Sequence, residues 1–105
     1  MLTIEGDFDV PGSRYAVVAT RWNDTVVDRL LDAALEVLAE SDIADDDITV
    51  VRVPGAFELP LICDRLAESG NYDAIIALGV VIRGETPHFD YICAAAAKGI
   101  TNTAL

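Results

Sequence analysis

Apolar runs and amphipathic stretches alternate along the chain. The runs RYAVVAT at residues 14–20 and DITVVRV at residues 47–53 are short and rich in β-branched residues, so both are predicted to be strands. Between them, apolar residues recur every three or four positions, which predicts an amphipathic helix with Asn23 or Asp24 as its N-cap. This part of the chain therefore has the pattern of a β-α-β unit.

A second helix is predicted from the prolines and glycines around it. Pro54 and Gly55 turn the chain after the second strand, and Pro60 fits only in the first turn of a helix that continues to about Ser69. Gly70 suits the C-terminal cap of this helix.

The third strand has a different character. The run AIIALGVVI at residues 74–82 is apolar at nearly every position, which predicts a strand buried on both faces in the centre of a parallel sheet. A third helix is predicted from Pro87 or His88 towards Asn102.

The resulting order, β-α-β-α-β-α, predicts an α/β fold with a doubly wound parallel sheet. Residues 1–105 form one domain, and LTIEGDF at residues 2–8 can add a short N-terminal strand. Ligands of such sheets bind beyond the carboxyl ends of the strands. Three loops are expected at that edge, and they carry residues 21–23, 54–58 and 83–88.

Composition and charge narrow the classes of partner. Hydrophobic residues make up 52% of the chain, and the net charge of -11 opposes binding to nucleic acid or to anionic membranes. The longest apolar run is too short to cross a bilayer, and MLTIEGDFDV lacks the basic end and apolar middle of a secretory signal. We therefore expect a cytoplasmic protein without a transmembrane helix.

The residues that commonly bind metals do not form a site in the sequence. The acidic run at residues 42–47 is interpreted as a solvated loop, because no calcium-binding loop pattern surrounds it. Cys63 and Cys93 are far apart in sequence and flanked by apolar residues, so both are expected to be buried free thiols. With one histidine and two scattered cysteines, no zinc site is expected either.

The loop after the third strand has two interpretations. Gly84, Glu85 and Thr86 can hold a phosphate through backbone N–H groups and the threonine hydroxyl, or Thr86 can simply cap the third helix. His88, the only histidine, can carry protons near neutral pH or serve as a surface residue. Arg83 can bind an anion or pair with a nearby carboxylate.

The other two loops also leave alternatives open. Trp22 follows the first strand directly and can either stack on a planar ligand or pack into the core. Glu58 can accept hydrogen bonds from ligand hydroxyls or favour the N-terminus of the second helix electrostatically.

Several motifs together resemble one family. IEGDFD, RWND, VPGAFELP, YDAIIALGVVIRGETPHFDYIC and AAKGI occur in the order found in the 6,7-dimethyl-8-ribityllumazine synthases. The resemblance implies a flavodoxin-like fold and a transferase of riboflavin biosynthesis that needs no metal or redox cofactor. Its members condense 5-amino-6-ribitylaminouracil with 3,4-dihydroxy-2-butanone 4-phosphate and release phosphate and water.

The resemblance also implies roles for individual residues. In the family pattern the pyrimidine ring stacks on the aromatic side chain at Trp22, and His88 matches the proposed proton shuttle. The other matching positions are implied to bind substrate: Asn23 beside the ring, Ala56, Phe57 and Glu58 along the ribityl chain and the ring edge, Val81 and Ile82 through apolar and backbone contacts, and Gly84, Glu85 and Thr86 beside the phosphate.

The family is also longer than this chain and oligomeric. We expect the chain to lack the fourth parallel strand and the last helix of the family. The resemblance implies that this segment carries an arginine that binds phosphate. It also implies that the same segment of a neighbouring subunit adds an aromatic residue and a lysine to the site. The resemblance implies homopentamers, decamers or icosahedral shells, in which a strand matching Leu2 to Phe8 joins a neighbouring sheet. A non-catalytic ligand-binding or assembly subunit, and an α/β domain whose motifs serve only packing, remain alternatives.

Overall fold

The computed structural model describes residues 12–82 and 88–104, and it confirms the predicted alternation of strands and helices. The predicted N-terminal strand at residues 2–8 lies outside this part of the chain. The elements, in order, are β1 (Tyr15–Thr20), α1 (Asp24–Glu40), a 3₁₀ turn (Asp45–Asp47), β2 (Ile48–Val53), α2 (Leu59–Glu68), β3 (Ala74–Leu78) and α3 (His88–Ala104).

The sheet is parallel, with the strand order β2-β1-β3. Tyr15 lies opposite Ile48 on one side and Ala74 on the other. β1 is the central strand, and residues 16–19 have no exposed surface. This order places two βα units around β1, as a doubly wound, flavodoxin-like α/β fold requires.

The prediction that the third strand is central is wrong for the part of the chain that the structure describes. β3 lies at the edge of the sheet, ends at Leu78, and is only partly buried. Residues 79–82 leave the sheet and form a loop instead. The apolar sequence did not reveal this, because the residues that follow the strand also contact protein: Val81 packs against the core.

Helices cover both faces of the sheet. Adjacent residues of a strand point to opposite faces, and accordingly Val18 packs with Leu59 and Cys63 of α2, whereas Val17 packs with Leu38 of α1. Partly buried residues of α3, including Ile92, extend the α2 side of the core. Full burial of each such side chain contributes about 1.5–3 kcal/mol, so these two cores hold the strand ends in place.

Glycine permits the close packing of α3 on α2. Pro60 lies in the first turn of α2, as predicted, and its ring faces Gly99 of α3. A Cβ atom on Gly99 would lie 2.4 Å from Cβ of Pro60, closer than such atoms can approach. Ala96 of the same helix packs against the core on the α2 side.

The ends of the helices largely follow the sequence. Gly70 has a φ of 72° and its N–H donates to the carbonyl of Ala67, as predicted for a C-terminal cap.

Cys63 is buried and Cys93 is half-buried, and both are free thiols. Within residues 12–82 and 88–104, no helix combines the length and the apolar composition needed to span a membrane.

We expect the substitution Gly99→Ala to destabilise the protein. In an unconstrained helix this change stabilises by about 1 kcal/mol, but here overpacking against Pro60 costs about 1–3 kcal/mol. The free energy of unfolding, measured by urea denaturation, should therefore fall. Ala97→Gly, at an exposed position of the same helix, measures the helix propensity alone. A gain in stability for Gly99→Ala would contradict the observed packing.

Burial of Cys63 should make stability depend on pH in the alkaline range. Burial raises the pKa of this thiol, so the unfolded chain loses its thiol proton at a lower pH than the native protein. The contribution of the protonated Cys63 thiol to the free energy of unfolding is therefore fully present below about pH 8.5, and it is lost as the pH rises above that value. The free energy of unfolding should fall more steeply above that pH in the native protein than in Cys63→Ala; equal slopes would contradict this expectation.

Candidate functional site

A cavity of about 500 Å³ lies beyond the carboxyl ends of the strands. Its size is typical of sites that bind small molecules. Loops after all three strands and the start of α3 contribute to its wall. The lining residues are Trp22, Asn23, Gly55, Ala56, Phe57, Glu58, Val80, Val81, Ile82, His88 and Ile92.

Backbone hydrogen bonds join the loop after β1 to the end of β2 and the loop that follows it. The backbone N–H of Arg21 donates to the carbonyl of Val53 at 2.7 Å, and that of Trp22 donates to Pro54 at 3.1 Å. These bonds extend the pairing of β1 with β2 beyond the sheet and direct the indole to the cavity. Trp22 is 64% exposed, so the alternative in which it packs into the core is wrong.

Asn23 joins the loops after β1 and β3. It occupies the predicted N-cap position of α1, but its backbone is left-handed, with φ 60° and ψ 45°, and its side chain does not cap the helix. Instead, Nδ2 donates to the carbonyl of Val80 in a long hydrogen bond of 3.5 Å. Asparagine tolerates the left-handed region better than most residues, which explains how it can serve in this position.

Glu58 makes two hydrogen bonds to Gly55 within the turn that precedes α2. Its Oε2 accepts a hydrogen bond of 3.0 Å from the N–H of Gly55, and its own N–H donates to the carbonyl of Gly55. A carboxylate has more acceptor positions than this single bond uses. Glu58 therefore stabilises the turn and can still accept hydrogen bonds from a ligand in the cavity that it lines.

Apolar side chains form much of the remaining wall. Ala56 is buried, Phe57 is exposed, and Val81 packs against the core beneath the cavity. Ile82 is exposed at the edge. A wall of this kind excludes water from one side of a bound ligand and leaves the polar groups to fix its orientation.

His88 is the first residue of α3 and lies at the cavity. It is exposed to solvent, so its imidazole can exchange protons both with water and with a bound molecule. The predicted phosphate loop, Gly84, Glu85 and Thr86, and the neighbouring Arg83 lie outside the described residues.

Three lining residues were not identified as site residues from the sequence: Gly55, Val80 and Ile92. Gly55 was placed in a turn and in a loop at the binding edge, but no role in binding was assigned to it. Val80 contributes a backbone carbonyl, for which side-chain chemistry gives no signal. Ile92 lies one helical turn after His88, and that spacing was the available signal that it faces the same side of α3.

The arrangement can bind a small molecule that has a planar ring and hydrogen-bond donors. An indole face stacks on aromatic rings, and the carboxylate of Glu58 binds hydroxyl or amine hydrogens. The imidazole of His88 is a group that can transfer protons. These groups come from separate loops and meet around one cavity.

Comparisons with known proteins agree with this description. The family model for 6,7-dimethyl-8-ribityllumazine synthase matches residues 12–105. The 6,7-dimethyl-8-ribityllumazine synthase of Desulfovibrio desulfuricans is 56% identical over 103 residues, which cover 98% of this chain and 66% of the relative. The protein of the same name from Desulfatibacillum aliphaticivorans is 55% identical over 102 residues, with coverages of 97% and 66%.

The chain thus spans 66% of the length of these two curated relatives. Within that length the family match extends from β1 through α3, so it includes every loop that forms the cavity. The extent of this match and the identities of 56% and 55% show that the chain belongs to the 6,7-dimethyl-8-ribityllumazine synthase family.

Proposed function

We propose that the protein acts as a 6,7-dimethyl-8-ribityllumazine synthase. It condenses 5-amino-6-ribitylaminouracil with 3,4-dihydroxy-2-butanone 4-phosphate to give 6,7-dimethyl-8-ribityllumazine, phosphate and water in riboflavin biosynthesis. The observation that carries the proposal is the cavity in which Trp22, Glu58 and His88 meet, in a chain of this family.

The proposed orientation of the aminouracil follows from the lining. Its pyrimidine ring stacks on the exposed indole of Trp22, with Asn23 beside it. The ribityl hydroxyls extend along Ala56, Phe57 and Glu58, where the carboxylate accepts their hydrogen bonds. Val81 and Ile82 supply the apolar wall. These substrate-binding roles are part of the proposal.

His88 is proposed to transfer protons during the reaction. Formation of the imine, departure of phosphate and closure of the second ring each require protons to move between the substrates and a nearby group. A residue at the start of α3 and at the edge of the cavity can both donate and accept them. Holding two substrates side by side supplies much of the remaining acceleration.

The second substrate carries the phosphate. The proposed phosphate site consists of Gly84, Glu85 and Thr86, whose backbone N–H groups and hydroxyl suit an anion before a helix. A preorganised anion site also favours release of phosphate in the transition state. The reaction needs no metal or redox cofactor, because it consists of condensation and elimination steps.

Assembly and location belong to the same proposal. We propose a homo-oligomer, a pentamer or a multiple of it such as an icosahedral shell, located in the cytoplasm. Membership of the family supports small-molecule substrates and assembly with copies of the same chain, and the net charge of -11 opposes nucleic acid and anionic membranes as partners.

Replacement of His88 tests the proposed catalytic step. His88→Asn should lower the rate of lumazine formation by about 100-fold or more, while leaving the melting temperature and the affinity for the aminouracil nearly unchanged. Product formation is followed by absorbance and phosphate release by a coupled assay. Lys98→Gln, at an exposed position of the same helix outside the cavity lining, serves as the control and should keep the native rate.

A His88→Asn variant with the native rate would contradict the proton-transfer role. Failure of the unsubstituted protein to bind the aminouracil or to form lumazine would contradict the proposed function itself. Binding without turnover in the unsubstituted protein would instead favour a non-catalytic ligand-binding subunit.

Glu58 should have two separable effects. Glu58→Gln keeps an oxygen that can accept from Gly55 but loses the charge, so we expect an intact fold and an affinity for the aminouracil lower by about tenfold. Glu58→Ala should also lower stability, by about 1 kcal/mol. Quenching of the sole tryptophan by the ligand measures affinity. Native affinity in Glu58→Gln would show that the residue serves the turn alone.

A further inference from the structure

Gly55 lies between the two groups that are proposed to hold the aminouracil. A Cβ atom on Gly55 would lie 3.2 Å from Cε3 and 3.5 Å from Cζ3 of Trp22. The same atom would lie 3.3 Å from Oε2 of Glu58. The six-membered ring of the indole and the carboxylate therefore both approach the side of Gly55 on which any other residue would carry a side chain.

Hydrogen bonds join Gly55 to Glu58, and Trp22 to the residue before Gly55. Gly55 donates its N–H to Oε2 of Glu58 at 3.0 Å and accepts from the N–H of Glu58 at 3.1 Å. Trp22 donates its N–H to the adjacent Pro54 at 3.1 Å. One turn thus holds the carboxylate and the backbone of the residue that carries the indole, although they belong to different loops.

The backbone conformation does not explain why this residue is glycine. Glycine is required where φ is positive, and the described glycines with positive φ are Gly12 and Gly70. An alanine can therefore adopt the backbone of Gly55 without strain. The remaining explanation is space, and the space at Gly55 is bounded by Trp22 and Glu58.

We propose that Gly55 is a positioning residue that sets the spacing between the indole of Trp22 and the carboxylate of Glu58. The absence of a side chain lets both groups lie close to one peptide, so that a single ligand engages the ring with its planar part and the carboxylate with its hydroxyls. The identity of that ligand rests on the proposed function; the spacing itself is a property of the protein without ligand.

The first test needs no ligand. In Gly55→Ala the new methyl group pushes the indole away from the turn, so the emission of Trp22 should shift to longer wavelength and its quenching by acrylamide should increase. Ile43→Val is the control, because it removes a methyl group from the core on the α1 side, away from the cavity. An unchanged emission in Gly55→Ala, or the same shift in Ile43→Val, would overturn the proposal.

The second test asks whether the effect acts through the indole. Gly55→Ala should lower the affinity for 5-amino-6-ribitylaminouracil, measured by calorimetry, by at least about tenfold. Trp22→Phe replaces the indole with a shorter ring that lacks Cε3 and Cζ3, so in that variant the added Gly55→Ala change should lower affinity much less. An equal loss in both backgrounds would mean that the ligand itself needs the space at Gly55, and would overturn the proposal.

The two tests separate this inference from the proposed function. Failure of the unsubstituted protein to bind the aminouracil contradicts the function, whereas the emission of Trp22 still decides the spacing. If Gly55→Ala alone does not fold, recovery of folding by Trp22→Phe supports the same contact. A double variant that also fails to fold would overturn it.

Discussion

The pairing of β1 with strands on both sides is the interaction on which the site depends. Val18 lies opposite Val51 of β2 and Ala77 of β3, and the strand is buried along nearly its whole length. Because the strands are parallel, their carboxyl ends meet at one edge. The bond from Arg21 to Val53 then carries the pairing past the last strand residue. The fixed core thereby determines where the loops of the cavity begin.

Most of the fold could be predicted because hydrophobic periodicity is a local property. The strands at 14–20 and 47–53 followed from it, and the capping role of Gly70 followed from the conformational freedom of glycine. The position of the third strand did not, since an apolar run looks alike in a central strand and in an edge strand followed by a packed loop. Strand order depends on contacts between distant segments, which a single sequence does not display.

The candidate site could be predicted to a similar depth. The end of each predicted strand indicated where Trp22, Glu58 and His88 would meet, and the structure places all three along one cavity. The hydrogen bond from Asn23 to Val80 could not be predicted from the sequence, because it joins a residue with a left-handed backbone to a backbone carbonyl in another loop. The close approach of Trp22 and Glu58 to Gly55 could not be predicted for a related reason: it depends on how closely two loops approach each other.

Thr20 and Arg52 lie near the carboxyl ends of β1 and β2, from which loops of the cavity begin. Arg52 pairs with Asp28 and donates to the carbonyl of Thr20, which ties the end of β1 to β2 and α1. Yet Nε of Arg52 and the hydroxyl of Thr20 are buried without a hydrogen-bond partner among the described residues. Each such group costs about 1–3 kcal/mol. Proteins commonly retain such unfavourable groups close to functional sites, and these two atoms lie next to the strand ends that lead into the loops of the cavity.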